Sequence, residues 1–148
     1  MTTLRWVGLV IFAFGCAKRA DEPKAVSPAP PSFRADIAPV LERMCARAEG
    51  CHGNKPTDSV DLDLRLSASY RQLVGIAAQA RKGGVRVRPG DPAASFLLDK
   101  LAGTLGPREG KPMPIDPVTG APIHPNPLGA DYVEGILRPW IAAGAPNN

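Results

Sequence analysis

The residues with the most chemistry to offer lie together in Cys45-Ala46-Arg47-Ala48-Glu49-Gly50-Cys51-His52-Gly53. A cysteine followed at once by histidine, with a second cysteine upstream, looks like a site for covalent haem attachment. In the usual C-x-x-C-H form both thiols add across the haem vinyl groups and the histidine takes one axial position on the iron. Here Ala48 stands where the first cysteine belongs and the nearest upstream thiol is Cys45, so the spacing is C-x5-C-H.

That spacing leaves three outcomes open. Both thiols reach the vinyls with Arg47 to Gly50 looped out, which Gly50 eases; or Cys51 alone forms a thioether; or no haem binds and Cys45–Cys51 is a disulfide. A small loop closed by a disulfide contributes about 2–3 kcal/mol in the chain-entropy model. A fourth alternative belongs to another class: Cys45, Cys51, His52 and Met113 are soft ligands that suit Cu(I). The spacing matches no zinc pattern.

The elements that must hold these residues fit into one small domain, because part of the 148-residue chain reads as processed. Arg5, the apolar run from Trp6 to Phe14 and then Gly15-Cys16 have the length of a secretion signal and are too short to span a bilayer. Ala13-Phe14-Gly15-Cys16 resembles a bacterial lipobox, which makes Cys16 the expected lipidation site and mature N-terminus. Residues 1–15 are then a lipoprotein-type signal peptide and 16–32 a tether rich in proline and charge, with only Val26 as a sizeable apolar residue. The expected setting is the bacterial cell envelope, lipid-anchored to a membrane on the periplasmic or cell-surface side. Without residues 1–15 the chain keeps 17 basic against 14 acidic residues, a net +3 with no basic block, so nucleic acid is not an expected partner.

The folded domain is expected over residues 33–146. Phe33, Ile37, Val40, Leu41 and Met44 recur at helical spacing, with Asp36 as N-cap and Pro39 in the first turn. Leu62, Leu64 and Leu66 alternate with Asp61, Asp63 and Arg65, an extended loop with one buried face. Ser67 caps a helix carrying Tyr70, Leu73, Val74 and Ala77 and fading at Lys82-Gly83-Gly84. Asp91-Pro92 opens another that carries Phe96, Leu97, Lys100 and Leu101 and closes at Gly103. Seven prolines then fill the stretch from Pro107 to Pro127, a long loop of the kind usually kept for function, containing Met113 and His124. Tyr132, Val133, Ile136, Leu137, Trp140 and Ile141 form a last amphipathic helix, which Pro139 is expected to kink or split at about 3 kcal/mol.

This order resembles the c-type cytochrome domain, in particular the planctomycete-type modules of bacterial surface lipoproteins. The likeness rests on Asp36-Ile37-Ala38-Pro39-Val40-Leu41, Cys51-His52-Gly53, Leu62-Asp63-Leu64, the Pro89 to Ser95 turn, Lys111-Pro112-Met113-Pro114 and Trp140 to Ala145. It implies an all-α, cytochrome c-like small helical domain with a long proline-rich loop, carrying one haem c. It makes His52 and Met113 the axial iron ligands, Cys45 and Cys51 the thioether donors, and Trp140 a packing residue near the haem edge. A methionine sulfur raises the reduction potential, and flanking prolines hold it in place. His124 is the rival distal ligand, and Arg88 with Arg86 are candidates to neutralise the propionates.

The implied function is one-electron transfer to an unknown redox partner by an electron carrier rather than a catalyst. Six-coordinate iron leaves no open position for substrate, and the sequence holds no nucleophile elbow, phosphate loop or paired-carboxylate signature. The competing expectation is a haem-free structural or interaction module of the same shape, closed by the Cys45–Cys51 disulfide.

Overall fold

The computed structural model describes residues 29–46, 51–53 and 61–148. The expected signal peptide, Cys16, the tether up to residue 28, and Ala48 and Gly50 lie outside them. The described residues form a small all-α domain with four short helices and no β-sheet. None of these helices is long and apolar enough to cross a membrane.

The first helix, α1, is π-wound over Phe33–Ile37 and α-wound over Ala38–Cys45. It begins earlier than the expected Asp36 cap. Ser32 is the N-cap: its Oγ accepts from the Ala35 amide, while Asp36 Oδ2 accepts from the Ser32 amide. The two residues thus satisfy one orphan donor each, in the reciprocal manner of a capping box. Pro39 therefore lies beyond the first turn, where its ring would press on the carbonyl one turn back. The π turn widens the helix just before it, with the Ala38 amide donating to the Phe33 carbonyl.

The same device recurs in α4, which is α-wound over Gly129–Tyr132, π-wound over Val133–Leu137 and α-wound again over Arg138–Ala142. Arg138 donates to the Val133 carbonyl immediately ahead of Pro139. Pro139 thus does not split the helix: the winding changes ahead of it within one continuous run. Pro39 and Pro139 are each preceded by a five-residue π segment that ends two positions earlier.

Between these, α2 (Ser69–Leu73) is shorter than its apolar spacing predicts. Val74 turns to extended backbone at φ −80°, ψ 119°, because residues 74–77 pair elsewhere. Single bridges join Val74 to Val87, Ala77 to Val85, and Val85 to Ser95. Helix α3 (Phe96–Ala102) starts later than Asp91-Pro92 suggests. Asp91 Oδ1 instead caps a turn by accepting from the Ala94 amide. Gly103 closes α3 in the left-handed conformation at φ 77°, as expected of a glycine there. In the leucine alternation, Leu64 is buried and Leu62 half-buried, but Leu66 is exposed, so the buried face ends at Leu64.

Helix α4 packs on α1 and α3, and α1 on α2. The core they enclose contains Phe33, Ile37, Leu41, Leu73, Leu137 and Ile141, with Trp140 fully buried among them. Phe33 stacks against Trp140 with ring centroids 5.3 Å apart and meets Tyr70 edge-on at 5.1 Å.

Candidate functional site

Helix α1 ends at Cys45, and the chain returns to it at once. The His52 amide donates to the Cys45 carbonyl at 2.9 Å, and the His52 carbonyl accepts from the Leu64 amide at 2.8 Å. The Cys51-His52 pair is therefore fastened on one side to the end of α1 and on the other to the extended segment 61–64. Both cysteines are half-buried free thiols. Burial, with the nearby Cys51 adding to it, pushes the Cys45 thiol up to about 11, so it stays protonated at neutral pH.

The half-buried His52 imidazole is held below its ordinary pKa by burial, with smaller contributions from the charges of Arg86 and Lys100. Hydrogen bonding with the Leu62 backbone opposes that shift. The shift favours the neutral imidazole, the form in which histidine binds metals.

The Met113 backbone is fastened to α3. Lys100, whose charge His52 feels, accepts the Met113 amide on its own carbonyl at 2.8 Å. Asn126 ties the segment further, donating to the Leu101 carbonyl at 2.9 Å and the Met113 carbonyl at 3.4 Å. The Met113 side chain is half-buried against the core. Tyr132 lies near Cys45, and burial followed by that thiol and Asp36 drives its phenol above its ordinary value; its hydroxyl donates to the Asp36 carbonyl.

The other expected site residues divide. His124 is exposed. Trp140 belongs to the core, its Nε1 donating to the Pro146 carbonyl at 2.9 Å. Arg88 is exposed, whereas Arg86 is buried at 8% exposure and donates to the carbonyls of Gln72 and Asp61. Alternation in Val85-Arg86-Val87-Arg88 gives the two arginines the same face, and only the distant carbonyls that receive Arg86 set them apart.

Sequence reasoning missed the Leu62 backbone group and the part played by Lys100. It also missed an ionic cluster of Arg81, Asp99 and Glu109 beside the proline-rich loop. No local pattern links residues so far apart in the chain. A cavity of about 370 Å³ opens elsewhere, between Phe33, Leu66, Tyr70 and Arg71, and includes none of the thiol, imidazole or thioether residues. No group of three or more His, Cys, Asp or Glu with metal-binding geometry occurs among the described residues. No family model, curated protein or solved structure matches this chain.

Proposed function

We propose that this domain is a c-type cytochrome-like carrier of single electrons, holding one haem between His52 and Met113. The observation that carries the reading is His52: a half-buried imidazole directly after Cys51, its backbone tied to Cys45 on one side and Leu64 on the other. The rest of the donor set fits. Met113 offers a half-buried thioether on a segment fastened to α3. Two half-buried thiols, Cys51 directly before His52 and Cys45 in the segment that its amide meets, are offered for covalent attachment. When bound, haem supplies the one-electron iron couple. The protein's part is to hold both axial ligands, exclude water from them, and place the Arg86 and Lys100 charges beside the imidazole.

A second reading is favoured by one contact. The bond from the His52 amide to the Cys45 carbonyl brings the two cysteine segments together, as a haem-free module stapled by Cys45–Cys51 requires. Intact mass after unfolding and reduction separates the two, because a thioether survives reductant and a disulfide opens. Chain plus one haem is the expected result, from cells with haem-maturation machinery, and His52→Ala should abolish stable incorporation. A bare chain with two new thiols, from cells that mature other c-type cytochromes, would leave the stapled module standing.

A further inference from the structure

We propose that Arg81 is a positioning residue, which with Glu109 and Asp99 straps the start of the proline-rich loop onto α3 and so sets where Met113 sits. The inference deepens the reading of Met113 as a ligand and rests on it for its functional meaning.

Arg81 grips Glu109 with both arms of its fork, Nε to Oε1 at 2.6 Å and Nη2 to Oε2 at 2.7 Å, while Nη1 donates to Asp99 Oδ2 at 2.5 Å. The guanidinium lies 4.4 Å over the Phe96 ring. Asp99 and Phe96 belong to α3, so one side chain joins the helix to the loop. Glu109 passes the restraint on, because its Oε2 also accepts from the Gly106 amide at 2.8 Å. From α3 itself, Lys100 Nζ donates to the carbonyls of Glu109 at 2.7 Å and Lys111 at 3.0 Å. Two residues further on, the Met113 amide closes the strap on the Lys100 carbonyl.

A single exposed ion pair contributes little to stability. This one is bidentate, shared between two carboxylates and stacked on an aromatic ring, with its groups part-exposed, Arg81 and Asp99 at 27% and Glu109 at 15%. Lysine cannot reproduce the fork. Arg81 touches none of the proposed ligands; it acts through Glu109 and the backbone.

The test is native-state hydrogen exchange on the full chain, comparing the Met113 amide with the buried Ala145 amide, which donates to Trp140. Arg81→Gln should speed exchange at Met113 at least tenfold and leave Ala145 unchanged. Arg81→Lys should fall between, and Glu109→Gln should repeat the effect. In haem-loaded protein the weak sulfur-to-iron band in the red should fade in Arg81→Gln. Unchanged exchange at Met113, or an equal rise at both amides, overturns the strap, as does a full-strength band in the haem-loaded variant. Exchange needs no haem, so a chain that carries none removes the ligand role of Met113 while the strap is still judged on its own.

Discussion

Met113 and His124 share one proline-rich segment and differ in surroundings. The first is half-buried against the core with its backbone tied at both ends, the second exposed. A thioether held that way keeps water off a metal, and an exposed imidazole does not. Met113→Ala should therefore lower the reduction potential of the haem-loaded protein and remove the red band, at about 1–2 kcal/mol of stability, less than full burial would cost. His124→Ala should change neither spectrum nor potential; a spectral change there with none at Met113 would transfer the role. The Cys51-His52 pair could be read in the sequence because its chemistry is local. Arg86 could not be told from Arg88, because the carbonyls that receive it belong to Gln72 and Asp61, remote in the chain.

At the level of elements, the apolar spacing gave α1, α3 and α4 and overran α2. Hydrophobic period reports which residues face inward, and Val74 faces inward from extended backbone as readily as from a helix. Winding was invisible for a related reason. A π turn costs a strained stretch of helix and is retained where it keeps Val133 and Leu137 ahead of Pro139, and Trp140 and Ile141 after it, all in the core. Pro139→Ala tests this. An ordinary interior proline costs about 3 kcal/mol, which its replacement should recover; here the widened turn already absorbs the ring, so denaturant melts should move by less than about 1 kcal/mol. The strap between α3 and the loop has its own signature in pH. Hydrogen bonds from Arg81, then the Gly106 amide, hold Glu109 down to about 2 against an ordinary 4.5. A carboxylate with a depressed folded pKa contributes fully above its unfolded value, and that contribution is lost as pH falls from about 4.5 towards 2. Acid titration of stability should be shallower across that window in Glu109→Gln than in the parent; identical slopes would show that the pair adds nothing.

For the molecule as a whole, the ends of the described domain are sewn to each other. The Asn148 backbone oxygen accepts from the Arg34 amide at 3.0 Å and from Ser32 Oγ at 2.9 Å, and its side-chain oxygen accepts from the Phe33 amide at 2.9 Å. Residue 148 thus satisfies donors at the start of α1 that the helix itself cannot. Along the same tail, the Ala145 carbonyl takes the Tyr70 hydroxyl and the Pro146 carbonyl takes Trp140 Nε1. These bonds hold Phe33, Tyr70 and Trp140, the aromatic centre of the core, from outside. Removing residues 145–148 should leave the Trp140 N–H buried without a partner and free three donors at the head of α1. At about 1 kcal/mol per bond, partly offset by water at the exposed positions, the loss should be about 3–5 kcal/mol. That is a large share of the roughly 5–15 kcal/mol that stabilises a domain. Val118→Ser, at a loop residue 91% exposed, serves as the control and should stay within about 0.5 kcal/mol. Thermal and denaturant unfolding of both variants decides the matter: a truncated chain that melts with the control would mean that the core is closed without its tail.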